Sequence, residues 1–186
     1  MVNGGEDPKQ PSVDRLAWAD SLYAAVEVVG PGGSPMAMAE AFCQAIVAGN
    51  RYSGAGIALA IAGEGLPMPT IAAAGAAKDY VQSLRFSGLA DRPAGLGPGG
   101  QCYRLGRAVI TNAVLSEPTF GPWIEKAVQS EVRSSLAIPL IKANRVIGVL
   151  SIYSAKPNTF SEADASFFLE VALKVAAALP DYRHPS

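Results

Sequence analysis

Two apolar runs separated by a short polar break form the clearest hydrophobic pattern in the chain. The runs are Leu136–Ile141 and Val146–Tyr153, and the break is Lys142–Arg145. Both runs are short and rich in Ile and Val, which favours buried strands over a helix. Because so short a break can only return the second run antiparallel to the first, the pattern predicts a β-hairpin. Pro139 inside the first run predicts a bulge, or an amide position that faces an edge.

A capped amphipathic helix is predicted directly after the hairpin. Ser161 is a suitable N-cap, and Asp164 three residues later completes a pattern like a capping box. Phe160 is placed to act as a hydrophobic staple. Apolar residues then recur at helical spacing as far as Pro180: Phe167, Phe168, Val171, Ala172, Val175 and Leu179. This part of the chain therefore predicts the order strand, turn, strand and helix.

The first part of the chain predicts two helices behind a polar tail. Residues 1–12 are polar and rich in Gly and Pro, so we expect a mobile tail there. Residues 13–29 have apolar positions suited to a helix. A second helix is expected to begin after Ser34, with Pro35 at its first position, and to end at Gly49.

Two stretches of small apolar residues follow these helices. Gly54–Ala62 and Pro69–Ala76 predict adjacent strands, joined by a turn at Gly63–Met68. A sheet face lined with alanine leaves volume in front of it. We therefore expect either a helix or a ligand to fill the space over this face.

The middle of the chain has weaker patterns. We expect a short helix and a loop over residues 77–95, helical turns over Gly97–Arg107, a short strand at Ala108–Asn112 and a helix over about residues 122–130. Together the segments predict an α+β domain over residues 13–180, in which helices pack on both faces of a central antiparallel sheet.

The composition of the 186-residue chain narrows the functional classes. The formal net charge is −1 and the 15 Lys and Arg residues are scattered, which argues against nucleic-acid binding. The two cysteines, Cys43 and Cys102, suit neither a disulfide framework nor a metal site. The sequence contains neither a signal peptide nor the roughly 18 consecutive apolar residues of a membrane span. We therefore expect a cytoplasmic domain that contacts neither nucleic acid nor membrane.

An ordered series of short motifs runs through the second half of the chain. The motifs are Gly97–Gly100, Leu105–Asn112, Glu117–Phe120, Arg133–Leu140, Val146–Leu150 and Phe160–Ser161. Their order and gaps resemble a GAF domain over residues 34–179. The Pro122-Trp123 pair before the Arg133 strand is similar to GAF modules of bacterial sensor kinases and diguanylate cyclases. One departure is Ala113, where the family commonly has an aspartate after the asparagine.

The resemblance implies a function as well as a fold. GAF domains are small-molecule sensing or dimerising modules, often attached to an output domain such as a kinase or a GGDEF domain. We therefore expect a sensory, regulatory domain of a bacterial signal-transduction protein, with a small-molecule ligand and a homodimer interface.

Aromatic residues of the middle segments are candidates for covering a ligand cavity on the sheet. A wall of aromatic side chains with a few polar groups suits a small, largely apolar ligand. The candidate cover residues are Tyr80, Phe86, Cys102, Tyr103, Phe120 and Trp123. Arg133 and Ser134 stand at a strand entrance, where they can orient a carboxylate or a carbonyl. The alternative is that the aromatic residues fill the core and that Arg133 pairs with Glu125 or Glu131.

Cys102 raises the alternative of an enzyme. The GAF-type free methionine sulfoxide reductases use a cysteine nucleophile, and this chemistry needs a second, resolving thiol within reach. The second thiol here is Cys43, at a helical position that we expect to be in the core. A buried cysteine acting as a small hydrophobe is the favoured interpretation. We therefore predict a non-enzymatic domain and keep the reductase as a less favoured alternative.

Two cofactors known in GAF domains are disfavoured by single positions. Covalent bilin attachment of the phytochrome type pairs the thiol with a following histidine, and Tyr103 occupies that position. Haem needs an axial ligand inside the pocket, whereas His184 lies in the expected C-terminal tail, residues 181–186. The signature of cyclic-nucleotide-binding GAF domains is not recognisable either. The ligand therefore stays unidentified at this stage.

The terminal helices offer a dimer interface. In GAF-containing sensors these helices often pack as a bundle between two subunits. Trp18, Leu22 and Val26 form an apolar stripe on the first helix that suits such a homodimer. The alternative is that the stripe packs on the chain's own sheet. A structural dimerisation module without a ligand therefore stays open beside the sensor.

Overall fold

The computed structural model describes residues 13–27 and 34–183, with side chains described from residue 17 onward. The expected N-terminal tail, residues 1–12, and His184 lie outside the described residues. The same holds for the last two positions of the predicted first helix. Within the described residues, no helix is both long and apolar enough to cross a membrane.

The described segments alternate between helices and strands. The helices are α1 (Val13–Glu27), α2 (Pro35–Val47), α3 (Lys78–Ser83), α4 (Pro93–Leu96), α5 (Pro98–Leu105), α6 (Ile124–Gln129) and α7 (Glu162–Ala178). The strands are β1 (Gly54–Leu59), β2 (Pro67–Met68), β3 (Thr70–Ala74), β4 (Phe86–Ser87), β5 (Val109–Thr111), β6 (Ser134–Lys142) and β7 (Arg145–Ser154). Short 3₁₀ helices lie at Ala48–Asn50, Val114–Ser116 and Pro118–Trp123.

A central antiparallel sheet organises the domain. In the part of the chain that the structure describes, five strands pair in the order β3-β1-β7-β6-β5, and every neighbouring pair is antiparallel. Helices α1, α2 and α7 cover one face, while α3, α5 and the segment around Trp123 cover the other. The α+β architecture predicted from the sequence, with helices on both faces of the sheet, is confirmed.

The predicted hairpin is strands β6 and β7. Its turn is shorter than the four-residue break, because Lys142 and Arg145 still pair across the strands. The two remaining residues, Ala143 and Asn144, have φ values of 48° and 58°. Positive φ at both central positions is what a two-residue turn needs to match the twist of its strands.

Pro139 lies where a missing amide hydrogen does little harm. Strand β5 pairs with β6 only over residues 135–137, so Pro139 lies beyond the paired segment on that side. The register of β6 against β7 also shifts one residue later, between Leu140 and Ile141. Both features agree with the bulge or edge position predicted for this proline.

The first pair of predicted strands needs correction at its ends. Strand β1 ends at Leu59 rather than Ala62, and β3 spans Thr70–Ala74 rather than residues 69–76. The predicted turn at Gly63–Met68 contains β2, which pairs with β4 in a separate ribbon. Strands of two residues are too short to produce a hydrophobic period, and for this reason the pattern did not reveal them.

The capping box of α7 forms as predicted. The backbone N–H of Asp164 donates to Ser161 Oγ at 3.2 Å, and the backbone N–H of Ser161 donates to Asp164 Oδ2 at 2.9 Å. Phe160 is buried and its ring stacks on that of Tyr52, with centroids 5.5 Å apart. The start of α7 is therefore held both by its cap and by the core.

The apolar stripe of α1 packs inside its own subunit. Leu22 is fully buried in the cluster that α1, α2 and α7 form on the sheet. Trp18 contacts Phe167 and Phe168 of α7, and its indole N–H donates to the carbonyl of Ala45 on α2 at 3.0 Å. This stripe is therefore part of the core and is not a free dimer surface.

Candidate functional site

A small cavity lies between the second face of the sheet and the short elements that cover it. We call it the sheet cavity. Its lining consists of Tyr80, Leu84, Phe86, Gly97, Pro98, Gly99, Phe120, Trp123, Ser135, Leu136, Ala137, Ser151 and Tyr153. The volume is about 20 Å³, which is the space of a single water molecule. The surrounding side chains thus occupy most of the space between sheet and cover.

The floor of the sheet cavity comes from the hairpin. Ser135 of β6 lies opposite Tyr153 of β7, and Ala137 lies opposite Ser151. Because side chains alternate between the two faces of a strand, these residues share one face, two positions apart. Three of the four carry a hydroxyl group, so the hairpin brings hydroxyls into the lining of the cavity.

Side chains of the protein fill the space over the alanine-lined part of the sheet. Val81 of α3 packs in one cluster with Ala73 and Ala77, and Met68 packs in another with Ala58 and Ala60. The sequence pattern predicted that a helix or a ligand fills this volume. Side chains of α3 and β2 fill it, and the cavity lies over β6 and β7.

Two aromatic rings of the cover lie directly against glycines at the start of α5. A Cβ added at Gly97 would lie 2.4 Å from the ring of Trp123, and one added at Gly99 would lie 2.9 Å from the ring of Phe86. No side chain other than hydrogen fits there without moving a ring. Phe120 meets Trp123 edge to face, with centroids 6.3 Å apart.

Two buried hydroxyl groups of the sheet cavity have no hydrogen-bond partner among the described residues. They are the hydroxyls of Tyr80 and Ser135, and each residue is only 3% exposed. A buried polar atom without a partner costs about 1–3 kcal/mol of stability. Native proteins contain few such atoms, so two in one cavity point to a site.

The two tyrosines of the cavity are neutral at physiological pH. Their rings meet edge to face with centroids 5.4 Å apart. Burial, and secondarily the charge of Tyr153, raise the pKa of Tyr80. Burial also raises the pKa of Tyr153, an effect that the Ser151 hydroxyl opposes. Both phenols therefore keep their protons and act as hydrogen-bond donors.

Half of the candidate site residues line the sheet cavity. Tyr80, Phe86, Phe120 and Trp123 contribute to the lining. Leu84, Ser135, Ser151 and Tyr153 are among the nine lining residues that the sequence analysis did not propose. The signal that could have revealed three of them is the alternation of hydroxyl-bearing residues along the two strands of the hairpin.

The other candidate residues lie outside the lining. Cys102 is fully buried in the cluster of Met68, and the hydroxyl of Tyr103 accepts a hydrogen bond from Arg183. Arg133 Nη1 donates to the adjacent carbonyl of Val132 at 3.1 Å. Ser134 Oγ donates to the carbonyl of Lys156 at 2.7 Å. Their side chains support the surrounding structure.

The two thiols lie on opposite faces of the sheet. Cys43 packs with Ile57 on the face covered by α2, and Cys102 packs with Ala58 on the face covered by α5. Both are fully buried. Burial raises the pKa of Cys43 to about 12 and also raises that of Cys102. In this arrangement neither thiol is reactive, and the two cannot form a disulfide with each other.

The structure is similar to solved proteins of more than one function. It matches the free methionine-R-sulfoxide reductase of Neisseria meningitidis, solved with its substrate, with a TM-score of 0.69 and 21% identity over 91% of this chain and 92% of the other. It matches the GAF domain of an Acinetobacter phosphoenolpyruvate-protein phosphotransferase with a TM-score of 0.66 and 17% identity over 87% and 92%. It matches the GAF domain of A. aeolicus nlh2, solved in an inactive state, with a TM-score of 0.66 and 14% identity over 88% and 95%.

These similarities establish the fold and nothing about function, because all three identities are low. No curated protein sequence matches the chain significantly. The sequence profile of the GAF domain matches residues 34–179, which is most of the chain and includes every residue of the sheet cavity. The chain therefore belongs to the GAF domain family.

Proposed function

We propose that this chain is a non-enzymatic sensory domain of a bacterial signal-transduction protein and binds a small molecule in the sheet cavity. The observation that carries the proposal is the pair of buried, unpartnered hydroxyls of Tyr80 and Ser135 in a cavity with aromatic walls. Their unmet hydrogen bonds stabilise a bound molecule relative to the free protein. The proposed location is the cytoplasm.

The proposal requires the cover of the cavity to open. Phe86 and Trp123 are half-buried, and they lie on a two-residue strand and a short 3₁₀ segment. Elements this small have few internal hydrogen bonds and open at low free-energy cost. A ligand larger than a water molecule enters when the ring of Trp123 leaves Gly97. Ligand binding is thus coupled to a change in the conformation of the cover.

The C-terminal segment connects the cover to the end of α7. Arg183 donates a hydrogen bond to Tyr103, on the helix whose first turn borders the cavity. Asp181 pairs with Arg145 of the hairpin at 3.2 Å. In the proposed mechanism, a displacement of α5 reaches the segment after α7 through Tyr103. This segment is where a kinase or GGDEF output domain would receive the signal.

The outer side of α7 is the proposed homodimer surface. Leu173 is 47% exposed and Ala177, four residues later, is also exposed, whereas Leu169 one turn earlier is half-buried against the core. The inner side of α7 packs on β6, on the face of the sheet opposite the cavity. We propose this surface of α7 as the dimer interface in place of the α1 stripe, because the stripe is buried in its own subunit.

A native mass spectrum, compared with the denatured mass, tests the proposal. We expect a non-covalent excess mass in the wild-type protein, or after incubation with a cell extract of small molecules. Trp123→Ala is expected to reduce ligand-dependent thermal stabilisation more than it reduces the stability of the free protein. Val128→Ala, at an exposed position of α6, is the matched control. Two outcomes would favour a structural dimerisation module instead. One is a wild-type protein without excess mass. The other is a Trp123→Ala variant that loses as much stability in the free protein as it loses in ligand-dependent stabilisation.

The reductase is the second candidate, because a free methionine-R-sulfoxide reductase is among the similar structures. The buried thiols on opposite faces of the sheet weigh against it. The test is reduction of free methionine sulfoxide by the wild type and by a Cys43→Ser, Cys102→Ser double variant. Activity in the wild type that disappears in the double variant would establish the enzyme and reject the non-enzymatic proposal.

A further inference from the structure

The lining of the sheet cavity is mainly apolar, with a few hydroxyl groups and no charge. Among the described residues, those that line it carry hydroxyl, aromatic and aliphatic groups, and none carries a formal charge. The cation nearest in sequence, Arg85, stands between Leu84 and Phe86, but it lies outside the lining and donates to the carbonyls of Gln82 and Leu84. A charged ligand group would lose its hydration in this cavity and find no opposite charge there, at a cost of several kcal/mol.

Part of the lining bears hydroxyl groups, and we call it the hydroxyl end. Tyr80 contacts Tyr153, and Tyr153 lies directly opposite Ser135 in the β6–β7 register. The rings of Phe86 and Trp123 lie against the start of α5 and pack on the cluster that contains both tyrosines. A molecule in the cavity therefore meets hydrogen-bond donors and apolar ring surface side by side.

The hydroxyl end is a donor site. A neutral phenol donates one hydrogen bond, and so does a serine hydroxyl. The unpartnered groups of Tyr80 and Ser135 thus together offer two donors to one acceptor. The first turn of α5 carries a partial positive charge, which adds to the preference for an electron-rich oxygen.

We infer that the sheet cavity takes a small uncharged molecule, with an acceptor oxygen bound by the Tyr80 and Ser135 hydroxyls and an apolar ring against Phe86 and Trp123. The inference rests on the proposed ligand-binding function of this cavity. It excludes carboxylates, ammonium compounds and zwitterions, including free amino acids such as methionine sulfoxide.

Three probes of the same shape and different charge test the inference. Benzamide is neutral, benzoate is an anion and benzylamine is a cation at pH 7. Ligand-observed NMR titration of the full chain is expected to show benzamide binding at least tenfold more tightly than either charged probe. Of the two charged probes, benzoate is the more stringent test, because the partial positive charge at the start of α5 favours an anion.

Neighbouring serines provide a matched pair of variants. Ser135→Ala removes an unpartnered hydroxyl of the cavity, whereas Ser134→Ala removes a hydroxyl that donates to the Lys156 carbonyl. We expect Ser135→Ala and Tyr80→Phe each to weaken benzamide binding about three- to tenfold, without lowering the melting temperature of the free protein. Ser134→Ala is expected to lower the melting temperature and leave benzamide binding unchanged.

The outcomes separate this inference from the proposed function. If benzoate or benzylamine binds as tightly as benzamide, the cavity binds ligands but the inference on charge is wrong. If benzamide binds equally well to Tyr80→Phe and Ser135→Ala, the donor role is wrong. If no probe binds and the native mass spectrum shows a bare protein, both the inference and the proposed function fall.

Discussion

Asn112 and Phe160 exchange two hydrogen bonds across 48 positions of sequence. The side-chain amide of Asn112 donates to the carbonyl of Phe160 at 2.8 Å, and its carbonyl oxygen accepts from the backbone N–H of Phe160 at 3.1 Å. The backbone carbonyl of Asn112 also accepts from the N–H of Asn158 at 3.0 Å. The end of β5 is thereby tied to the loop that leads into α7.

The position after Asn112 is the one that departs from the family pattern. Ala113 has no carboxylate, and its carbonyl accepts from the N–H of Ser116 at 3.0 Å and from the Ser116 hydroxyl at 3.2 Å. The turn after β5 is thus closed by a serine and by backbone hydrogen bonds. The missing aspartate does not leave this turn without support.

Asn112→Ala should destabilise the fold through the loss of this tie. It leaves the backbone N–H and carbonyl of Phe160 without their partners, in a half-buried position. We expect a loss of about 1–3 kcal/mol in the free energy of unfolding, measured by urea denaturation. Gln129→Ala, at an exposed position of α6, is the control and should change the stability by less than about 0.5 kcal/mol. Equal effects would mean that the tie is not stabilising.

A methyl group at Gly97 should displace the ring of Trp123. The added Cβ of Gly97→Ala would lie 2.4 Å from the ring, whereas a Cβ at Gly121 has no atom within 4 Å. We expect Gly97→Ala to cost about 1–3 kcal/mol of stability and to change the emission of Trp123. The measurement is tryptophan fluorescence in a Trp18→Phe background, with Gly121→Ala as the control. An unchanged spectrum for Gly97→Ala would contradict the packing of the cover.

The buried thiol of Cys43 should make stability fall at high pH. Its pKa rises from 9.0 in the unfolded chain to about 12 in the folded one. Between these values the unfolded state releases the proton and the folded state keeps it, so the stabilisation is complete below pH 9 and is lost above it. We expect the stability difference between wild type and Cys43→Ala to shrink by up to about 1.4 kcal/mol per pH unit above pH 9.

The measurement for Cys43 is urea denaturation of both proteins at a series of pH values. Cys102, Tyr80 and Tyr153 also have raised pKa values, and they are present in both proteins. The difference between the two curves therefore isolates Cys43. A difference that stays constant from pH 7 to pH 11 would mean that the thiol is accessible to solvent.

A charge on the outer side of α7 should prevent dimer formation. Leu173→Glu places a carboxylate beside the exposed Ala177 without touching the core. We expect the wild type to elute as a dimer and Leu173→Glu as a monomer in size-exclusion chromatography with light scattering. Leu105→Glu, equally exposed at the end of α5, is the control and should remain a dimer. A Leu173→Glu dimer would place the interface elsewhere.

Elements in which a hydrophobic pattern continues over many residues could be predicted from the sequence. The β6–β7 hairpin and the capping box at Ser161 depend on residues close together in the chain, and both are found in the structure. Strands β2 and β4 could not be predicted, because each has two residues and pairs with the other across 18 to 20 positions. Of the cavity, the aromatic cover was predictable in part, while the hydroxyls of the floor were taken for ordinary strand residues.

The sequence by itself determined the alternation of apolar and polar positions, and with it the hairpin, the main helices and the family. The tertiary structure alone decided which side chains meet. It placed Cys43 and Cys102 on opposite faces of the sheet, buried the α1 stripe against α7, and directed Tyr80 and Ser135 into one cavity. The physical reason is that local periodicity selects the face a residue occupies, whereas its partners come from distant segments whose packing no local pattern specifies.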